Sequence, residues 1–153
     1  MPAIYTEEWY EAIINLANSR DDISKRVPQG EWRVAVEIEG DSKSPYIPEG
    51  TTKYFLVRFL NGKVAEYRES PERISGKGLH YRVIGPASLF DGIAAGVVDP
   101  VEVGLNGSIT IRGDMRVLMQ HADMVNAIFE MYTQSNVSEW PLGKPPYGSS
   151  LGR

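Results

Sequence analysis

An Asn61-Gly62 pair in the middle of the chain constrains the fold more than any other feature of the sequence. It separates residues 53–60 from residues 63–69, two segments with the composition of β-strands. Both positions of a tight hairpin turn favour positive φ, which asparagine and glycine adopt more readily than other residues. The sequence therefore predicts a β-hairpin centred on this pair.

Three further segments have the pattern of strands. In residues 31–40, one row of apolar side chains alternates with a mainly polar row, as in a strand with one solvated face. The apolar row consists of Trp32, Val34, Val36 and Ile38. Residues 79–85 and 108–112 are shorter candidates. We predict five strands, with a loop over residues 41–52 after the first.

Helices are predicted at the start of the chain and between the later strands. Thr6 is a favourable N-cap for the first helix, and Asp99 and Asp114 occupy the same position before the third and fourth. Pro86 and Gly96 mark the two ends of the second. The four predicted helices cover residues 6–18, 86–96, 99–104 and 114–132. Together with the hairpin order of the strands, they indicate an α+β fold with a five-stranded, largely antiparallel sheet covered by helices.

Length, composition and charge limit the classes of function. The 153 residues fit one domain, predicted over residues 1–132, and the Ser-, Gly- and Pro-rich residues 133–153 read as an irregular tail. The absence of cysteine excludes disulfides, thiolate nucleophiles and cysteine-ligated metals. A net charge of -4 argues against nucleic acid as a partner. No apolar run is long enough for a transmembrane segment, and a cytoplasmic location is expected.

The predicted last helix, residues 114–132, carries every methionine except the initiator: Met115, Met119, Met124 and Met131. Its apolar residues form two adjacent rows, so the apolar arc is wider than a single stripe. Methionine fills irregular gaps in a core, and its flexible thioether also adapts to ligands of differing shape. Periodicity does not separate a filled core from a lined cavity. A third reading is an exposed interface, which would make the protein a homodimer or an interaction module.

Residues 85–132 resemble the C-terminal half of the sterol carrier protein 2 family. The matching features occur in the family's order, from the end of a strand through two helices and a last strand to a closing helix. They are Ala87 to Ile93, Gly96, Asp99-Pro100, Val103, Gly107, the strand 108–112, and Gly113-Asp114-Met115. The earlier part of the chain matches only in the order of its elements.

The resemblance implies a sandwich of helices and sheet around an apolar tunnel that binds a fatty acyl chain, a sterol or a similar lipid. It implies neither catalysis nor a cofactor. Carried over position by position, it predicts a ligand-binding lining formed by Leu89, Phe90, Ile93, Val103, Met115, Leu118, Met119 and Ala122. The peroxisomal members of the family end in a Ser-Lys-Leu-like tripeptide, which this sequence lacks.

Signals for catalysis are weak. No Gly-x-Ser-x-Gly nucleophile elbow is present, and the two histidines, His80 and His121, lack the spacing of a metal site. A carboxylate in an apolar pocket could act as a base on a small substrate, with Asp91 and Glu102 as the candidates. We therefore carry three hypotheses: binding of an apolar ligand, self-association through the methionine-rich helix, and an enzyme with a carboxylate base.

Overall fold

The hairpin at Asn61 and Gly62 forms as predicted, and both residues have positive φ, 49° and 86°. It joins two strands of a five-stranded sheet in the computed structural model, which describes residues 2–121, 123, 130 and 138–147. The elements are α1 (Glu7–Ser19), α2 (Asp21–Ser24), β1 (Glu31–Glu39), β2 (Thr52–Leu60), β3 (Lys63–Ser70), β4 (Tyr81–Pro86), α3 (Ala87–Ala94), α4 (Pro100–Leu105), β5 (Thr110–Gly113) and α5 (Met115–Gln120).

The sheet has the strand order β3-β2-β1-β4-β5. Three of its neighbouring pairs are antiparallel, which confirms the predicted five-stranded, largely antiparallel sheet. The exception is the pair β1 and β4, which run parallel in a register that joins Val34 to Tyr81 and Glu39 to Pro86. Strand β1 thus lies at the centre of the sheet, with the hairpin on one side and β4 on the other.

Local capping fixes where several helices begin. The side chains of Thr6 and Asp99 accept hydrogen bonds from the backbone amides of Trp9 and Val101, as expected for N-caps. Asp114 likewise accepts from two amides of the first turn of α5. The three predicted caps are confirmed. In contrast, Pro86 ends β4 with extended backbone instead of lying in the first turn of α3.

The predicted closing helix, residues 114–132, is interrupted at His121. Helix α5 ends at Gln120, because His121 has a non-helical backbone with φ -117° and ψ 47°. Asp123 and Glu130 are again helical. The predicted helix residues Met124 and Met131 lie outside the described residues. No helix in the described part of the chain is both long and apolar enough to cross a membrane.

The two faces of the sheet differ in chemistry. The inner face packs on α1 and α3 and forms the main core. This core includes Phe55 of β2 and Trp9 and Ile13 of α1. On the outer face Glu37, only 7% exposed, binds Arg73 and Arg82 with N–O distances of 2.8 and 2.5 Å. The inner face therefore contacts the main apolar core, whereas the outer face combines these charge pairs with the buried side chains of Ala35 and Leu56.

Candidate functional site

An apolar cavity of about 120 Å³ lies between the inner face of the sheet and the helices. Strand β1 crosses its floor with the four apolar residues of the alternating pattern, since alternate side chains of a strand point to the same face. Strands β2 to β5 extend the floor, and α1, α3 and α5 contribute the opposite wall. The described lining residues are Trp32, Val34, Val36, Ile38, Val57, Phe59, Tyr67, Tyr81, Val83, Ile111, Tyr5, Trp9, Phe90, Ile93, Ala94 and Leu118.

The polar atoms of several aromatic lining residues bind protein partners. Trp9 donates its Nε1 hydrogen to Oγ of Ser138 at 2.7 Å. Trp32 Nε1 and the Tyr81 hydroxyl donate to backbone carbonyl oxygens at 3.1 and 2.9 Å. None of the described lining residues is charged. Because a buried charge is costly without a partner, this part of the cavity suits an uncharged, apolar group.

A buried carboxylate stands behind the cavity wall. Asp91 of α3 is completely buried, and its two oxygens accept hydrogen bonds from the hydroxyls of Tyr5 at 2.5 Å and Tyr147 at 2.9 Å. Desolvation raises the pKa of Asp91, although hydrogen bonds from Ser44, Tyr5 and Tyr147 partly offset that rise. Burial raises the pKa of Tyr5 well above its usual value, and the nearby Asp91 charge raises it further. The cluster joins four separate segments of the chain.

The loop between β1 and β2 supports the same helix. Asp41 accepts hydrogen bonds from the backbone amide and the hydroxyl of Ser88 at 3.2 and 2.5 Å. A carboxylate at a helix N-terminus is stabilised by the unpaired amides there. Burial raises the pKa of Asp41, but the hydrogen bonds it receives outweigh that effect, and the pKa is lowered overall. Helix α3 is thus fixed at its first turn by Asp41 and near its middle by Asp91.

The architecture matches solved structures. A sterol carrier protein 2 superposes with a TM-score of 0.71 at 12% identity, covering 86% of this chain and 98% of the other. A conserved hypothetical protein from Thermus thermophilus, described as possibly a sterol carrier protein, has a TM-score of 0.68 at 12% identity, with 92% and 94% covered. The chain has the sterol carrier protein 2 fold.

This fold also occurs inside a larger enzyme. A sec-alkyl sulfatase matches with a TM-score of 0.50 at 15% identity, covering 78% of this chain but only 16% of the sulfatase. No protein-family model matches the sequence, and a search of curated proteins finds no match. The likeness therefore establishes a shared sterol carrier protein 2 fold, seen both in small proteins and in one part of a larger chain.

The ligand-binding residues that the resemblance predicted differ in their position relative to the cavity. Phe90, Ile93 and Leu118 line the cavity. Val103 is buried in a second apolar cluster with Ile93, and Leu89 packs against that cluster. Neither of these two residues is part of the cavity lining.

The predicted methionines lie on the outside. Met115 is 44% and Met119 76% exposed, so neither belongs to the described lining. Leu118 faces the cavity, and the adjacent residue Met119 is turned by about 100° around the helix axis. Met115 lies in the first turn of α5. Ala122 lies outside the described residues, and its contact with a ligand stays a prediction.

Neither carboxylate that was considered as a catalytic base lines the cavity, and the two histidines have structural contacts. Glu102 is exposed on α4, and Asp91 is not among the residues that line the cavity. Nδ1 of His80 accepts a hydrogen bond from the Arg33 amide at 2.9 Å. Both histidines pack against Trp32, with ring centroids 5.2 and 6.4 Å apart. No cluster of three potential metal ligands occurs among the residues that the structure describes.

The sheet residues of the lining were not predicted as site residues. Their signal was present in the alternation of residues 31–40, which predicted an apolar face but not what it faces. Trp9 was predicted only as part of the apolar stripe of the first helix, and Tyr5 only precedes that helix in the sequence. Neither had a sequence signal for a binding site. A lining is a property of several elements in contact, so sequence patterns of single elements did not reveal it.

Proposed function

We propose that the chain binds an uncharged apolar ligand, such as a fatty acyl chain or a sterol-like molecule, in the cavity above β1, without catalysing its conversion. The observation that carries this proposal is the lining itself. It is apolar, and the polar tips of Trp9, Trp32 and Tyr81 are occupied by protein acceptors. The sterol carrier protein 2 fold supports the proposal, because proteins named as sterol carriers have this architecture.

The lining also indicates how a ligand with a polar end would sit. A carboxylate buried among the described lining residues would meet no cationic side chain there. It would lose its hydration without a compensating ion pair, which costs several kcal/mol. We therefore expect a fatty acid to bind with its chain inside and its carboxylate in water, or as an uncharged ester.

A cavity-filling variant tests the proposal directly. Val36 lies on the cavity floor, and a Val36→Phe substitution occupies space that a ligand would need. We expect titration with N-phenyl-1-naphthylamine, an uncharged apolar fluorophore, to saturate for the wild type and to show an affinity at least about tenfold lower for the variant. Val101 is 44% exposed on α4, and Val101→Phe is the matched control.

The two variants distinguish binding of the fluorophore in the cavity from its nonspecific adsorption to the protein surface. The control is expected to bind the fluorophore as the wild type does, with circular dichroism confirming that all three proteins are folded. Equal affinities for Val36→Phe and Val101→Phe, or no saturable binding by the wild type, would contradict the proposal. Organic extraction of gently purified protein followed by mass spectrometry would then identify the natural ligand.

Self-association is a second candidate, favoured by the exposure of Met115 and Met119 on α5. Exposed large apolar side chains are common at interfaces between proteins. Light scattering of the wild type and of Met119→Glu distinguishes this function from ligand binding. A dimer that the variant breaks supports it, whereas a wild-type monomer rejects it.

A further inference from the structure

Residues 138–147 pack along the wall of the cavity that is formed by the N-terminal residues, and we call them the C-terminal strap. Glu139 forms an isolated bridge with Ala3, in which its carbonyl accepts from Ile4 at 3.0 Å. Ser138 is buried and holds the indole of Trp9, a cavity-lining residue. The strap therefore contacts the residues that form this wall.

The other end of the strap reaches α3. On the way, Tyr46 of the loop between β1 and β2 donates its hydroxyl hydrogen to the Gly143 carbonyl at 2.7 Å and accepts from the Leu142 amide at 3.1 Å. The strap then places the Tyr147 hydroxyl 2.9 Å from Oδ2 of Asp91. Its last described contact is thus with the carboxylate that also binds Tyr5.

Tyr5 links this carboxylate to the cavity. Its ring lines the cavity and contacts Trp9 and Tyr46, with centroid distances of 5.5 and 6.1 Å. Its backbone has φ 66°, in the left-handed region that bulky residues rarely adopt. Such a conformation persists only where the surroundings hold it. Here the strap binds the backbone of the preceding residue Ile4, and Asp91 binds the Tyr5 hydroxyl.

We propose that the C-terminal strap gates the cavity and that Asp91 is its latch, holding the strap through Tyr147 and the cavity wall through Tyr5. When the strap leaves, Asp91 becomes hydrated and Tyr5 loses the contacts that keep its backbone left-handed. Tyr5 then relaxes and its ring leaves the wall, which opens the cavity. The gating rests on the proposed ligand-binding function, but docking of the strap is measurable without any ligand.

The latch is coupled to pH with a defined sign. Asp91 is faced by Tyr5 on the N-terminal segment, Tyr147 on the strap, and Asp41 and Tyr46 on the loop between β1 and β2. Within the described residues Asp91 forms no ion pair with a basic side chain. Its pKa in the docked state is raised above the ordinary value of about 3.9. Departure of the strap would hydrate Asp91, which lowers this pKa, and would remove the Tyr147 hydrogen bond, which raises it. Because burial is the larger influence, we expect docking to favour the protonated acid and to weaken as pH rises through the docked pKa.

Hydrogen exchange measured by mass spectrometry tests the latch without a ligand. We expect Tyr147→Phe to lower the protection of the strap about tenfold and to leave the strands of the sheet unchanged, because it removes a hydrogen bond to a buried acid. Tyr54→Phe, on β2 and away from the strap, is the matched control and is expected to behave as the wild type. Equal protection of the strap in all three proteins overturns the latch.

The pH dependence identifies the titrating group. In the wild type, protection of the strap is expected to fall as pH rises above the ordinary carboxyl pKa of about 3.9 and through the raised pKa of docked Asp91. Asp91→Asn keeps the size of the side chain without its ionisation, so its protection is expected to be independent of pH. A pH dependence that persists in Asp91→Asn, after correction for the intrinsic exchange rate, overturns the assignment of Asp91.

Release of bound N-phenyl-1-naphthylamine tests the gate. Tyr147→Phe is expected to release the fluorophore several times faster than the wild type and Tyr54→Phe. A loosened strap with an unchanged release rate overturns the gating. Failure of the wild type to bind the fluorophore overturns the proposed function instead, and the exchange results then still decide whether the latch exists.

Discussion

Glu37 shows how one charged residue is accommodated in the middle of a sheet. It lies on central strand β1 with 9% of its side chain exposed, and Arg82 beside it has 11% exposed. Burial raises the pKa of Glu37, but hydrogen bonds and charge from Arg73 and Arg82 outweigh it, and the pKa is lowered overall. The folded state therefore favours the carboxylate form.

We expect Glu37→Gln to lower the free energy of unfolding by about 2 to 4 kcal/mol, because it leaves Arg82 without its buried partner. Glu66→Gln is the matched control, since Glu66 is 33% exposed and its ion pairs with Arg58 and Arg68 lie at the surface. Its cost is expected to be below about 1 kcal/mol. Urea denaturation of both variants measures the difference. Equal costs would show that Glu37 is no more important than a surface charge.

The same residue gives a stability contribution with a defined pH dependence. The pKa of Glu37 is lower in the folded than in the unfolded chain, so its contribution is present above the ordinary value of about 4.3 and is lost as pH falls. Asp91 acts in the opposite direction, because its pKa is raised on folding. The two carboxylates are distinguished by their partners: two guanidinium groups for Glu37 and neutral hydroxyls for Asp91.

At the scale of elements, two glycines allow the cost of an unfavourable backbone conformation to be compared with the cost of a steric clash. Gly113 ends β5 with φ 144°, and a Cβ there would lie 2.4 Å from the Tyr81 ring and 2.5 Å from the His80 carbonyl oxygen. Gly96 has φ 77°, and a Cβ there would meet no described atom within 4 Å. Both are unfavourable positions for a side chain, but only Gly113 also lacks space.

We expect Gly96→Ala to cost about 1 kcal/mol of stability and Gly113→Ala about 3 kcal/mol or more, since the second combines strain with a clash. Thermal unfolding of the two variants under identical conditions measures the difference. Because Tyr81 lines the cavity, Gly113→Ala is also expected to weaken binding of the apolar fluorophore, whereas Gly96→Ala is not. Equal destabilisation by the two variants would contradict the steric argument.

Features of the fold that depend on adjacent residues could be predicted from the sequence, whereas features that depend on distant residues could not. Caps such as Asp99 and the turn at Asn61 and Gly62 were predicted because a few adjacent residues determine them. The parallel pairing of β1 with β4 was not, since it joins strands that are distant in the chain. Met119 was predicted as a lining residue from the resemblance, and also considered as part of an exposed interface, for a related reason: a helix with a wide apolar arc does not specify which part of that arc faces inward. The cluster around Asp91 joins four segments, and no single segment shows it.

At the scale of the whole molecule, the four strand pairings of the sheet include a local one and a distant one that can be compared directly. The β2–β3 hairpin joins neighbouring strands, with Phe59 opposite Val64. The parallel pair places Val36 beside Val83 across the intervening hairpin and loop. Ordering a longer stretch of chain costs more entropy, so distant pairings form later than local ones in many domains. This topology predicts that the hairpin is more developed than the parallel pair in the folding transition state.

Two matched substitutions test this order by stopped-flow kinetics. Val64→Ala and Val83→Ala remove the same atoms, and each is expected to cost about 1 to 2.5 kcal/mol. Val64→Ala is expected mainly to slow folding, and Val83→Ala mainly to accelerate unfolding. The reverse pattern would show that the parallel pair forms first.

The parallel pairing also has a kinetic consequence for the cavity. Strand β4 contributes Tyr81 and Val83 to the lining, so the cavity is incomplete until β4 has joined β1. A molecule bound there stabilises the native state but not the transition state. An occupied cavity would therefore prolong the lifetime of the folded protein and leave the rate at which the chain folds unchanged.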